Sequence, residues 1–326
     1  MAYSGSFNYS RTAAQIITTA YENLGVIIPG GTVATAHSDT ALVRLNHIVK
    51  ELSGTADGVQ GMKVHLRKTV TLLLAKGQQT YSVGPASGDA RASTAVGRTT
   101  IRTAEAAAQT VLDITATTDT TTYPGTTVSM TASDIIGIEQ NDGTIFYSTI
   151  SSTGAGPTVT IGTGLDAAAA AGNYVWWFTS RAQRFPVIES ATLRDESYNE
   201  TPLEIYRDVR AYQQGVVDKY ADGDPTAILV EPLLIATRVT LDSQPTDVTK
   251  QIILYVQYPQ EDYDATSDDI ALPQEWLRRI EWELTMALAP VFGKVWTPAM
   301  EMNYRNSVAR TSALNPEVSD LYFRPN

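Results

Sequence analysis

The sequence predicts an α+β protein: a helical bundle core built from N- and C-terminal helices, with strands and an inserted antiparallel β domain. Two observations predict this class. Apolar side chains recur at helical spacing near both ends of the 326-residue chain, and each run has start and stop signals. Residues 85–180 contain no lysine, are rich in Thr, Ala, Ser and Gly, and carry the short alternating apolar runs that are typical of strands.

Two helices are predicted at the start of the chain. The segment "SRTAAQIITTAYENLGV" has Ser10 in the capping position and Gly25 where the helix ends. Its apolar face consists of Ile16, Ile17, Ala20 and Leu24. The segment "HSDTALVRLNHIVKELSG" is predicted to begin at Ser38 and to end at Gly54. The following "KTVTLLLAKGQQTYSVG" is predicted to form an extended pair around "KGQQ".

The lysine-free stretch is predicted to fold as a separate antiparallel β domain, a sandwich or a barrel. Asp142 and Gly143 stand between two strand-like runs in "EQNDGTIF", which is a strong hairpin signal. The run "DAAAAAG" is interpreted as a short helical turn or a loop. Trp176 and Trp177 are adjacent, so they point to opposite faces of a strand. One is expected in the core, and Trp177 is assigned to a subunit or tail interface.

Beyond residue 181 the sequence predicts a mixture of short elements. A short helix with Pro202 at its first position is predicted in "TPLEIYRDVRAYQQGV". Strands are predicted in "AILVEPLL", "TRVTLDS" and "KQIILYVQYP". The last of these alternates apolar and polar side chains, which predicts one buried and one wetter face.

Two further helices are predicted near the C-terminus. The segment "LPQEWLRRIEWELTMALAPVFGK" has Pro273 in its first turn, and its helix stops at about Pro290. The last helix has Thr297 as its cap and Pro298 at its first position, and it runs to about Leu314. Charged side chains of the first helix can pair along its surface, which predicts a solvated face. We expect this helix to meet a neighbouring subunit through Trp276, Arg278 and Arg279.

The final segment, "NPEVSDLYFRPN", is predicted to be a docking tail, because it ends in the residue types that anchor protein interfaces. Those anchors are Leu321, Tyr322, Phe323 and Arg324. The chain is thus divided into residues 1–84 (N-terminal part of the helical core), 85–180 (inserted β domain), 181–314 (C-terminal part of the core, with strands) and 315–326 (docking tail).

Composition excludes several classes of function. The chain has no cysteine, so disulfide frameworks, thiolate zinc sites and cysteine nucleophiles are absent. Its formal charge of -11 disfavours gripping of nucleic acid, since phosphate binding needs clustered Lys and Arg. No apolar run approaches the roughly 20 residues that span a bilayer, and the N-terminus lacks the pattern of a signal peptide.

The sequence contains no recognisable catalytic or ligand-binding motif. It lacks the phosphate-binding loop, the nucleophile elbow, the zinc-protease helix and the EF-hand loop. His47 is interpreted as a surface or half-buried residue rather than a metal ligand. The acidic "DYDATSDD" lacks the Gly and the bidentate Glu of a calcium loop, so a solvated loop is predicted there. We therefore expect no enzyme activity, no cofactor and no bound metal.

The order of these segments resembles a known protein family, the head-to-tail adaptors of tailed bacteriophages. Adaptors of short-tailed phages are also called tail accessory factors or packaged-DNA-stabilisation proteins. The likeness is carried by "RTAAQIITTAYENLGVI", "ALVRLNHIVKEL", "LAKGQQTYSVG" and "LPQEWLRRIEWELTMALAPVFGK", followed by a last helix. The middle stretch, from "DIIGIEQNDGTIFYSTISS" to "NYVWWF", is similar to a β domain of longer members. The resemblance covers most of the chain.

The resemblance implies a structural virion protein that forms an oligomeric ring, commonly a dodecamer, below the portal. Such a ring extends and seals the DNA channel, serves DNA ejection and carries tail components such as a nozzle, tube or fibres. Double-stranded DNA would pass through its lumen without specific binding. The implied location is the head-tail junction of the virion, after assembly in the host cytoplasm. The implied portal contact falls on residues 315–326, and the insertion at 85–180 departs from compact members.

Two other functions are compatible with the residues. A carbohydrate- or receptor-binding tail module would use the β domain, with Trp176 or Trp177 as its platform. A cell-wall hydrolase would use carboxylates such as Glu275 or Asp262, but paired-carboxylate geometry cannot be derived from their spacing.

Overall fold

A computed structural model describes residues 9–54, 67–85, 91–92, 95–120, 127–154, 156–246 and 248–314. The fold is α+β, as the sequence predicts. The chain divides into two compact units, one of Met1–Leu66 with Pro259–Asn326 and one of Arg67–Tyr258. The helices in chain order are α1 (Ala13–Asn23), α2 (Thr35–Gly54), α3 (Val209–Gly215), α4 (Gln274–Leu288) and α5 (Pro298–Leu314).

The strands are short and nearly all lie in the second unit's three larger sheets. In chain order they are β1 (Arg67–Leu73), β2 (Thr80–Val83), β3 (Arg91–Ala92), β4 (Gly97–Thr100), β5 (Val111–Asp113), β6 (Thr118–Asp119), β7 (Val128–Ser129), β8 (Ile135–Glu139), β9 (Ile145–Thr153), β10 (Thr158–Ile161), β11 (Tyr174–Phe178), β12 (Val187–Arg194), β13 (Glu200–Pro202), β14 (Glu204–Tyr206), β15 (Ala227–Pro232), β16 (Thr237–Leu241) and β17 (Gln251–Gln257).

The first unit is helical, and its core joins the two ends of the chain. The helix α4 packs against α1, α2 and α5. Its apolar face meets α1 and α2 in one buried cluster. Members of this cluster that have no measurable exposure include Ile16, Ala20, Leu45, Ile280 and Leu284. The predicted bundle of N- and C-terminal helices is therefore confirmed.

The helix ends are mostly where the sequence predicts them. Thr12, rather than Ser10, caps α1 in a reciprocal bond pattern with Gln15. Gly25 follows the end of α1 with a φ of 63°, a conformation that glycine adopts without a Cβ penalty. Thr297 Oγ1 accepts from Met300 N at 3.3 Å, which confirms the predicted cap of α5. The helix α2 begins at Thr35, one turn before the predicted Ser38.

Two sheets of the second unit enclose a shared apolar core. One has the strand order β13-β12-β17-β1-β3 and the other β14-β15-β16-β2. Buried side chains from both sheets form a single cluster, which includes Val70, Val83, Ile228, Val239 and Leu254. These sheets contain strands from residues 67–84 and 187–257, which the sequence predicts to be part of the helical core. The predicted boundaries at 84/85 and 180/181 therefore differ from the division between the two units.

The lysine-free stretch forms a six-stranded antiparallel sheet with the order β4-β11-β8-β9-β10-β5. The sheet is curled. An antiparallel β-bridge joins Ile101, which follows the first strand in this order, to Ile114, which follows the last. Its inner face is filled by apolar side chains, as expected for a small barrel. The hairpin at Asp142 and Gly143 joins β8 to β9, and Gly143 has a φ of 84°. The run "DAAAAAG" is a loop, which decides between the two interpretations.

Two local predictions of secondary structure are wrong. The strands β1 and β2 flank "KGQQ" but do not pair, since β1 pairs with β17 and β2 with β16. Pro202 does not start a helix. It ends the edge strand β13, and a proline is tolerated at an edge because no ladder donor is needed there. The short helix α3 starts only at Val209, where Asp208 caps it.

We expect Gly97→Ala to destabilise the protein by about 1–3 kcal/mol, through overpacking of the barrel interior. An added Cβ at Gly97 would stand 2.2 Å from Cε2 of the buried Trp177. Urea unfolding followed by tryptophan fluorescence measures the effect. Ser151→Ala, a change of similar size at an exposed position of β9, should leave the midpoint unchanged. Equal midpoints for both variants would contradict this packing.

Candidate functional site

Both tryptophans of the pair on β11 are buried, so the prediction that Trp177 lies at an interface is wrong. The strand β11 is central in the curled sheet, between β4 and β8. Trp177 points into the barrel interior. Trp176 points to the other face, where Leu73 and Val248 cover it and the Tyr174 ring stacks at 5.7 Å. Neither indole can serve as a sugar platform in this fold, because both faces of the strand are covered.

Three other predicted interface residues lie on α4, and two of them are buried. Trp276 and Arg279 are buried, whereas Arg278 is exposed. The Arg279 guanidinium lies 5.1 Å from the Trp276 ring centroid and donates through Nη1 to Thr311 Oγ1 at 3.3 Å. Arg279 therefore connects α4 to α5, and Trp276 packs in the core cluster, so both side chains make their contacts within one chain. The interface role of Arg278 stays a prediction.

The charged face of α4 is less solvated than the sequence predicts. Arg279 Nε pairs with Glu283 Oε1 at 2.8 Å, which is the expected i to i+4 contact. Glu281 pairs with Arg11, from the segment that precedes α1. Burial raises the pKa of both carboxyls, and their arginine partners only partly offset the rise. Glu275 is exposed in the first turn of α4, and Asp262 pairs with Lys50 at 3.0 Å.

An apolar tip that the sequence analysis did not single out lies at the turn between β15 and β16. It consists of Leu233, Leu234 and Ile235, and the last two are 91% and 67% exposed. Three consecutive exposed apolar residues are unusual on a soluble surface unless they make a contact. The sequence signal was the run "AILVEPLLIA", which continues past the end of β15.

The apolar tip is held in a defined conformation. Leu233 N donates to Ala236 O at 2.9 Å, and Arg184 Nε donates to Leu233 O at 2.5 Å. A Cβ on Gly84 would stand 3.1 Å from Ala236 Cβ, so the neighbouring backbone packs closely against the turn. The side chains of Leu234 and Ile235 are thus presented on a supported hairpin.

A second exposed apolar surface, the apolar end, lies at one end of the helical unit. It consists of Ile28, Val291 and Val295, of which Ile28 is 78% and Val295 is 80% exposed. The two loops meet where Lys294 Nζ donates to Gly25 O at 3.2 Å. These loops follow α1 and α4, so the surface again combines the two ends of the chain.

The remaining predicted residues show no ligand site. His47 is exposed beside Arg44 in an open groove of about 380 Å³. In the acidic loop, Asp268 accepts the backbone N–H groups of Asp264 and Ala265, each at 2.9 Å. The described residues hold no cluster of three or more His, Asp or Glu suited to a metal. The tail anchors Leu321, Tyr322, Phe323 and Arg324 lie outside the described residues.

Among the helices that the structure describes, none combines the length and the apolar character that crossing a bilayer needs. The sequence matches no protein-family model, and no curated protein matches it significantly. Among solved structures, it aligns with VP17, a capsid protein of bacteriophage P23-77, at 8% identity over 62% of this chain and 77% of that one. The TM-score is 0.14, so this likeness carries no argument about fold or function.

The buried carboxyl of Glu281 should give the protein a measurable pH dependence. Burial holds its folded-state pKa above the ordinary 4.5, so the folded state retains a proton at higher pH than the unfolded chain. The stability that this group contributes is fully present below 4.5 and is lost as pH rises through the raised pKa. We therefore expect the difference in unfolding free energy, wild type minus Glu281→Gln, to increase as pH is lowered through this window.

Glu301→Gln provides a control of opposite sign. Hydrogen bonds from Trp296 and Arg305 hold the pKa of Glu301 below 4.5. Its contribution is present above 4.5 and is lost as pH falls through the lowered pKa. Urea titrations at several pH values measure both differences. Two differences that change in the same direction with pH would show that this assignment of the carboxyls is wrong.

Proposed function

We propose that this chain is a structural virion protein of a tailed phage, a subunit of the head-to-tail adaptor ring below the portal. The observation that carries the proposal is the apolar tip, a supported hairpin whose exposed side chains belong to none of the described apolar clusters of the fold. Exposed apolar patches mark protein contacts. The resemblance of the helical segments to the adaptor family supports the particular assembly.

A ring needs two different contact surfaces on each subunit, because head-to-tail packing joins unlike faces. The apolar tip and the apolar end supply two such surfaces, one on each unit of the chain. In this proposal both become buried on assembly, and Arg278 contributes to the polar rim. The copy number is expected to follow the family's common dodecamer.

The charge of the chain suits a channel that lets DNA pass. With a net charge of -11, the protein repels the phosphate backbone and does not retain it. The expected partners are the portal protein, other copies of the chain and tail proteins such as a nozzle, tube or fibres. No catalytic turnover is expected of such a subunit, whose place would be the head-tail junction after assembly in the host cytoplasm.

Electron microscopy of the purified chain, alone and mixed with its portal, tests the proposal. We expect rings, or portal particles that carry an additional collar. Leu234→Asp should raise the protein concentration needed for assembly at least tenfold, because a charge at the centre of an apolar contact costs more than about 1.4 kcal/mol. Sedimentation velocity measures this concentration.

Gln214→Asp is the matched control, since it adds the same charge at an exposed position of the same unit, on α3. It should assemble as the wild type does. Circular dichroism should show all three proteins equally folded, because both altered side chains are exposed. A wild-type chain that stays monomeric and ignores the portal would refute the adaptor function. Normal assembly of Leu234→Asp would show that the apolar tip is not a contact surface in the assembly.

A further inference from the structure

Between residues 298 and 313, the part of α5 whose burial is described, no apolar side chain is buried. The fully buried residues among 298–313 are Ser307 and Thr311, and both are polar. The core cluster draws instead on α1, α2, α4 and the segment before α4. The apolar side chains Met300, Tyr304 and Val308 of α5 are only half buried. The hydrophobic effect that fixes the other three long helices therefore acts weakly on α5.

Polar contacts hold α5 against α4, and their partners retain other bonds when the contact opens. Arg279 donates to Thr311 Oγ1, and it keeps its ion pair with Glu283 whether or not α5 is present. The Thr311 hydroxyl has its own intrahelical acceptors, Val308 O at 2.9 Å and Ser307 O at 3.2 Å. Opening exposes the Arg279 guanidinium to water, which can hydrate it, so the donor and the acceptor of this described bond both have a partner after the helices separate.

Features at the start of α5 stabilise it as a helix independently of α4. Thr297 caps its first turn, and Pro298 occupies the first position. Glu301 and Arg305 pair at 2.5 Å one turn apart, near the end of the helix where an acidic residue is favoured. The residue before this cap, Trp296, stays anchored, because it packs on the core cluster and meets Trp282 edge-on at 6.4 Å.

We propose that α5 is a detachable arm, which leaves α4 as a unit about Thr297 while α1, α2 and α4 remain folded. Local opening of this kind occurs in the elements of a fold that make the fewest buried apolar contacts. A helix of 17 residues is about 25 Å long, so release extends the reach of the residues after Leu314 by up to that distance. Release also uncovers the α4 face around Arg279 for a partner. This inference does not depend on the adaptor function.

Thiol labelling tests the arm directly, because the natural chain has no cysteine. Ser307→Cys and Thr311→Cys place single thiols on the buried side of α5. Ala20→Cys and Ala41→Cys place matched thiols in the helical core, where both positions have no measurable exposure. Labelling with a small maleimide under native conditions, at several low urea concentrations, reports the opening that exposes each thiol.

We expect the two arm thiols to react on the order of 100-fold faster than the core thiols, as for a sub-global opening. Both arm sites should show the same opening constant and a smaller dependence on urea than the core sites, because less surface is exposed. Equal rates and equal urea dependence at all four sites would overturn the proposal, since α5 would then open only with the whole unit. Fast labelling at Thr311→Cys alone would also overturn it, because that pattern is fraying. If Ser307→Cys fails to fold, hydrogen exchange of the α5 amides in the natural chain, compared with the amides of α1 and α4, takes its place with the same expectations.

Discussion

The helical unit depends on one packing constraint, the contact of α4 with α1 and α2. These helices come from opposite ends of the chain, and neither end has an apolar core without the other. The entropic cost of joining distant segments grows only logarithmically with the length between them. Residues 67–258 also form their own apolar clusters, so they do not have to remain an unstructured loop while the bundle closes. A large β insertion is therefore compatible with a small helical bundle.

The faces of α4 make chemically different contacts with their neighbours. Towards α1 and α2 it presents Ile280 and Leu284, whose burial is the main source of stability. Towards α5 it presents the Arg279–Glu283 pair, and towards the chain before α1 it presents Glu281. Buried ion pairs carry a desolvation cost that offsets much of their attraction. The same desolvation raises the pKa of both glutamates. The contact of α4 with α5 is thus more polar than its contacts with α1 and α2.

Local signals in the sequence predicted local structure well. The end of α1 at Gly25, the cap of α5 at Thr297 and the hairpin at Asp142 and Gly143 each depend on a few neighbouring residues. The larger errors concern contacts between segments that are distant in sequence. Nothing near β1 reveals that its partner is β17, and nothing near β11 reveals that Leu73 and Val248 cover its outer face. The exposure of the apolar tip could not be predicted either, because an apolar run has the same sequence pattern in a core and at a surface.

The composition of the apolar tip is not explained by the needs of its turn. Two-residue hairpin turns favour glycine and asparagine, which adopt positive φ without strain. Leu234 and Ile235 are not among the residues with positive φ, and β-branched side chains give no advantage in a tight turn. Their exposure instead creates an aggregation hazard that polar residues would remove at no structural cost. The net charge of -11 opposes nonspecific association. A chain that keeps this apolar hairpin while remaining strongly charged is suited to one specific contact, with a partner surface that its negative charge does not repel.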